Sequence, residues 1–197
     1  MSREHRLFFN EIAETWQNKT SWQTLQKCMS QFGISPDDIV LDIGAGTGAL
    51  TAPLLQLIKS GRIIAADISE RMLKEACRHF ADDRVLFTCT DACHLAFTTG
   101  MFDKIVCYSA FPHIQKPRRA LSEFYRVLKA GGKVVIFHNC CSRKLNHYHA
   151  RMAGIVSFDK LPKSEWLQAW LKGTGFVEIS TIEQPDFYWV EAAKGKG

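Results

Sequence analysis

The chain has 197 residues, 46% of them hydrophobic and 23% charged, the make-up of one globular domain and not of a disordered or collagen-like chain. Lys plus Arg number 25 against 20 Asp plus Glu, a net charge of +5, which allows an anionic substrate but is too scattered to indicate nucleic acid. No apolar run approaches the roughly 20 residues that a membrane helix needs.

Short β-rich runs alternate with amphipathic segments, which predicts an α/β domain with a mainly parallel sheet. A polar start, Met1-Ser2-Arg3, carries no signal-peptide core. Residues 3–17 read as a helix with Phe8, Ile12 and Trp16 on one stripe, and 22–32 as a second, ended by Gly33 and Pro36. The run 38–43 is an apolar strand. Leu50, Leu54, Leu55 and Ile58 follow at helical spacing. Strands are predicted over 62–66, 84–88, 102–108 and 133–138. Ser69 is placed to cap a helix reaching Phe80, and Pro117 to open another that Gly131-Gly132 ends. The stretch 139–161 is polar, rich in His and Arg, and less regular. Ser164 is placed to cap a further helix, and 176–183 and 187–193 read as an antiparallel hairpin before a disordered Lys-Gly tail.

Seven cysteines stand at 28, 77, 89, 93, 107, 140 and 141. An odd number without any C-x-x-C spacing predicts reduced thiols and a cytoplasmic protein.

The most informative stretch is Val40-Leu-Asp-Ile-Gly-Ala-Gly-Thr-Gly48, a strand running into a glycine turn and then a helix. Glycines at 44, 46 and 48 let a ligand approach backbone and permit positive φ. Asp67 ends the second strand, where an acid accepts from ribose hydroxyls. A dinucleotide and S-adenosylmethionine both fit a turn of this kind, and Gly44-x-Gly46-x-x-Ala49 satisfies the permissive dinucleotide fingerprint. Asp42 separates them. A carboxylate beside the turn is unfavourable next to a pyrophosphate and favourable next to an ammonium or sulfonium. Asp91, after the third strand, is placed to accept from an adenine amino group.

Together with Ala65-Ala-Asp-Ile-Ser-Glu-Arg-Met-Leu73, Thr90-Asp-Ala92, Phe102-Asp-Lys-Ile-Val106 and Glu123-Phe-Tyr-Arg-Val-Leu-Lys-Ala-Gly-Gly-Lys133, this stretch resembles the class I S-adenosylmethionine-dependent methyltransferases of the small-molecule type, types 11 and 25. The resemblance covers about residues 35–138. It implies a Rossmann-like, doubly wound seven-stranded sheet, mainly parallel with an antiparallel last strand and helices on both faces. It further implies a helical lid over 1–34, a methyltransferase domain over 35–197 and an acceptor-covering insertion at about 139–161.

The roles it implies fall on named positions. Asp42 with Gly44, Ala45, Gly46, Thr47 and Gly48 would hold the methionine end of the donor. Asp67 would take the ribose, Ile68 and Met72 the adenine face, and Asp91 and Ala92 the adenine edge. Tyr108 would line the donor site. Phe8, Phe9 and Trp16 are lid candidates, or packing of the ordinary aromatic kind.

Methyl transfer to a small-molecule acceptor is an in-line displacement that depends on alignment and needs a base only if the acceptor sheds a proton. His113 and His138, both at carboxyl ends of strands, are the candidate catalytic residues, and His113, His138 and His147 the candidate substrate contacts. His149 lies beside them in the insertion. A metal held by His138, His147 and His149 with Cys140 and Cys141 is an alternative that matches no standard zinc spacing, so no metal is predicted. The competing functions are a non-catalytic cofactor-binding or metal-responsive protein and, resting only on charge and a basic insertion, an RNA methyltransferase. Neither membrane nor nucleic acid is expected as a partner.

Overall fold

A computed structural model describes residues 3–17 and 20–196. Residues 1 and 2 of the polar start and the last glycine of the tail lie outside the described residues. Seven helices and seven strands are described, in the order α1 (Arg3–Ile12), α2 (Trp22–Phe32), β1 (Ile39–Ile43), α3 (Thr51–Leu57), β2 (Arg62–Asp67), α4 (Glu70–His79), β3 (Val85–Cys89), β4 (Phe102–Tyr108), α5 (Pro117–Val127), β5 (Leu128–His138), α6 (Ser142–His149), α7 (Ser164–Thr174), β6 (Phe176–Gln184) and β7 (Phe187–Lys194). The sheet order is β3-β2-β1-β4-β5-β7-β6. β1 to β5 run parallel, and β7 is antiparallel to both of its neighbours. This is the doubly wound, Rossmann-like sheet with an antiparallel last strand that the motif resemblance implies.

The period of two along each strand sorts the core onto two faces. Leu41 and Ile43, Ile105 and Cys107, Val134 and Ile136, Tyr188 and Val190 point to one side, where Leu121 and Phe124 of α5 and Leu167 and Leu171 of α7 meet them. Val40, Val106, Val135, Phe137 and Trp189 point to the other, against Leu25, Met29 and Phe32 of α2 and Leu50, Leu54 and Ile58 around α3. A strand buried on both faces has no polar side to spare. Its reading as a near-continuous apolar run follows from that.

Two acidic residues of the recurring motifs hold the frame together. Asp103 accepts from the Ile39 N–H at 2.9 Å and from Lys129 Nζ at 2.8 Å, tying β4 to the start of β1 and to β5. Glu123 accepts from the Leu95 N–H at 2.9 Å and pairs with Arg126 at 2.8 Å.

Several expectations are corrected. The first helix ends at Ile12 and gives way to a turn, with Thr15 Oγ1 donating to the Ile12 carbonyl at 3.2 Å. α5 ends at Val127, and Gly131-Gly132 lies inside β5, where the register against β4 slips between Phe102 and Lys104. The less regular 139–161 stretch does contain defined elements. It folds into α6 and a 3-10 turn, Ile155–Phe158. Ser164 does not cap α7 with its hydroxyl. Instead Glu183 on β6 accepts from the Ser164 N–H at 2.8 Å, and its other oxygen takes the N–H and hydroxyl of Ser142 at 2.9 and 2.6 Å. One carboxylate therefore sits at two helix N-termini, where the helix dipoles and unpaired N–H groups favour negative charge. Ser69 caps α4 as expected, accepting from the Met72 N–H at 3.1 Å.

Candidate active site

Open parallel sheets bind ligands at the carboxyl ends of their strands, where the order reverses. Here that point lies between β1 and β4. A cavity of about 780 Å³ opens there, within the size range of ligand sites. Its floor is the β1–α3 turn, its wall the residues that follow β4, and its far side α6. The inner face of α1 and the turn after it cover it, through Phe8, Phe9, Ile12, Thr15, Trp16 and Gln17.

The turn explains its glycines in two ways. Gly44 has φ +71, and a Cβ there would run into the methyl of Ala110. Gly46 has φ +56 and meets nothing closer than the Gly44 carbonyl at 4.0 Å. The first glycine is required by packing, whereas the second keeps open space and unobstructed backbone. Asp67 is stitched to this turn: its two carboxylate oxygens accept from the N–H groups of Gly46 at 2.9 Å and Ser69 at 2.8 Å. Burial raises its pKa against the pull of these donors.

Asp42 is 1% exposed, and its Oδ2 has no hydrogen-bond partner. Burial, with the Asp67 charge nearby, pushes its pKa up to about 8. A buried, unpaired carboxylate is costly. Asp42, unpaired at Oδ2, and Asp67, held by backbone N–H groups, line one cavity and make it rich in negative charge. That is the complement of an ammonium and sulfonium, with ribose hydroxyls, and the reverse of a pyrophosphate cradle. Tyr108 stacks on Phe137 at 4.8 Å, and its hydroxyl meets Thr20 Oγ1 at 2.6 Å. Ser109 next to it holds φ +56, a left-handed conformation that a non-glycine residue adopts at a cost of roughly 1–3 kcal/mol and that clusters at ligand sites.

The cavity thus gathers Asp42, Gly44, Ala45, Gly46, Thr47, Asp67, Met72, Tyr108 and His113. Gly48, Ile68, Asp91, Ala92, His138 and His147 are not among its lining residues. Gly48 faces Phe80, and Asp91 accepts from the Cys93 N–H at 2.9 Å. His147 is exposed. His138 is 1% exposed, with neither ring nitrogen hydrogen-bonded, edge-on to Tyr188 at 5.8 Å. Burial, with His113 and His149 near, holds its pKa down to about 3. It is a neutral core imidazole, set away from the cavity wall.

Among the described residues no group of three or more His, Cys, Asp or Glu could hold a metal ion. The metal alternative therefore gains no support. Sequence reasoning missed His5, Asp159, Ser109 and Lys144. Nothing in their local pattern marks them.

Sheet order, glycine turn and paired carboxylates define a Rossmann-like domain built for a nucleoside that brings positive charge. Comparison with known proteins agrees. Residues 41–136 match the family model described as a methyltransferase domain. The demethylmenaquinone methyltransferase of Clavibacter sepedonicus is 31% identical over 163 residues, 71% of this chain and 66% of the relative. The ubiquinone/menaquinone biosynthesis C-methyltransferase UbiE of Hydrogenovibrio crunogenus is 31% identical over 136 residues, 66% of this chain and 53% of the relative. The chain thus spans between about half and two thirds of the length of these curated relatives. An S-adenosylmethionine-dependent methyltransferase from Aquifex aeolicus superposes with a TM-score of 0.71 at 19% identity, over 86% of this chain and 88% of that one, a likeness of fold. The chain belongs to the class I S-adenosylmethionine-dependent methyltransferases.

Proposed function

We propose that this chain moves a methyl group from S-adenosylmethionine to a small-molecule acceptor. The observation that carries the reading is the pair of buried carboxylates, Asp42 and Asp67, bracketing an unobstructed glycine turn. The unpartnered Asp42 Oδ2 fits a cationic donor, and the open space at Gly46 fits its close approach. When bound, the donor supplies an already activated methyl group. The chain's own residues have to hold, align and exclude water. Asp42 and the 44–47 turn take the methionine end, Asp67 the ribose, and Met72 and Tyr108 the flanks. His113 faces the acceptor. Residues 1–34 act as a lid, a role supported by Phe8, Phe9 and Trp16 on the cavity roof. The insertion over 139–161 closes the acceptor side with Leu145, Tyr148 and Met152.

Among the described residues no helix is long and apolar enough to cross a membrane. The seven cysteines are all free thiols, which supports placement in the cytoplasm. Calorimetric titration with S-adenosylmethionine tests the assignment. Asp67→Ala should weaken binding by about 10–100-fold, the worth of hydrogen bonds to a charged group. Undiminished affinity in that variant defeats it.

A further inference from the structure

Away from the glycine turn, several side chains that no motif announces converge on one buried carboxylate. Asp159 follows the 3-10 turn, its side chain 1% exposed. Its Oδ2 accepts from His113 Nδ1 at 2.6 Å, and its Oδ1 from His5 Nε2 at 2.9 Å and Gln115 Nε2 at 3.3 Å. Its backbone carbonyl accepts from His149 Nδ1 at 3.0 Å. Burial works against the charge on Asp159, but the His113 and His5 hydrogen bonds outweigh it and hold its pKa below the usual carboxylate value.

An ionised carboxylate and a carbonyl have no hydrogen to give, so the imidazole nitrogens facing them must be the protonated ones. The tautomers follow. His113 and His149 each carry hydrogen on Nδ1 and, when neutral, a bare lone pair on Nε2. Both rings line the cavity, with centroids 5.3 Å apart. Burial lowers the pKa of His149, disfavouring its charged form. Aromatic rings flank the pair: Phe9 is edge-on to His113 at 5.0 Å and Tyr148 is tilted against His149 at 6.2 Å.

We propose that Asp159 is a positioning residue that turns the Nε2 lone pairs of His113 and His149 into the cavity, selecting an uncharged aromatic acceptor with an O–H or N–H group. The inference rests on the methyltransferase reading for its chemistry. In that reaction the acceptor's heteroatom bonds the methyl carbon and displaces the thioether, which leaves with the carbon–sulfur electron pair. The acceptor's proton moves to His113 Nε2. The positive charge lost from sulfur reappears on an imidazolium whose other nitrogen already donates to Asp159. A carboxylate acceptor would face two lone pairs and is disfavoured.

Histidine-labelled full-length protein, studied by long-range proton–nitrogen NMR with S-adenosylhomocysteine present, tests this with phenol, anisole and benzoate as probes. His113 and His149 should both appear as Nδ1–H tautomers. Phenol should move their Nε2 resonances and bind on the order of tenfold more tightly than anisole, the worth of one hydrogen bond, and benzoate should bind no better than anisole. Asp159→Asn, whose amide can donate to Nδ1, should turn His113 to the Nε2–H tautomer and abolish the preference for phenol. A wild-type His113 carrying its hydrogen on Nε2 overturns the proposal, as does equal binding of phenol and anisole. If Asp159→Asn does not fold, the wild-type tautomers and the phenol–anisole comparison still decide. Failure of the methyltransferase reading shows separately, as no binding of S-adenosylhomocysteine, and leaves the tautomer measurement standing.

Discussion

Asp42 shows how a single residue is held in tension by function. Burial and the Asp67 charge disfavour its ionisation and push its pKa from the ordinary 3.8 up to about 8. A folded-state pKa above the unfolded one contributes stability that is complete at low pH and is lost as pH rises through the folded value. The free protein should therefore lose stability between pH 4 and 8, and Asp42→Asn should remove that part of the slope. Thermal melts across this range should show the variant gaining on the wild type as pH rises, by about 2–4 °C for each kcal/mol relieved, while its affinity for S-adenosylmethionine falls. Parallel melting profiles for the two proteins exclude the idea.

At the scale of elements, α6 and α7 begin without side-chain caps of their own and share Glu183 instead. The carboxylate lies on β6, so α6, which walls one side of the cavity, is anchored to the far edge of the sheet. Its pKa is lowered even though burial opposes the charge, because the Ser142 and Ser164 donors hold the ionised form. Stability from this contact is present above the usual glutamate pKa and lost as pH falls through the depressed one. Glu183→Ala should cost about 1–3 kcal/mol, as loss of a shared cap. Urea unfolding at neutral pH measures it. A midpoint equal to that of the wild type contradicts the capping role.

At the scale of the whole molecule, α1 lies against the cavity and is held on two sides. Asn10 Oδ1 accepts from Ser69 Oγ at 2.6 Å and from the Arg71 N–H at 3.3 Å, and Arg6 pairs with Glu70 at 2.8 Å. These contacts latch α1 to the start of α4. On its other side His5 reaches Asp159. The Arg6 pair is half exposed on both sides and contributes little, so Asn10 is the more informative position. If residues 1–34 form a lid, S-adenosylhomocysteine should slow tryptic cleavage at Arg3 and Arg6, and Asn10→Ala should speed cleavage there with a change in overall stability below about 1 kcal/mol. Cleavage indifferent to both ligand and variant argues for a fixed packing helix.

The amino-acid sequence alone determined the α/β class, the strand from Val40 into its glycine turn, the acidic residues at the ends of the first two strands and the terminal hairpin. These are carried by local periodicity, turn chemistry and charge within some thirty residues, and such patterns survive without knowledge of neighbours. The histidines were read less well. His113, His138 and His147 share composition and polarity, yet one lines the cavity, one is sealed in the core and one points to solvent. Only packing decides between those fates. The contact from His5 to Asp159 spans 154 residues, and Glu183 caps helices that begin 41 and 19 residues before it. The fold alone creates such partners, because a hydrogen bond depends on distance in space and leaves no period in the chain.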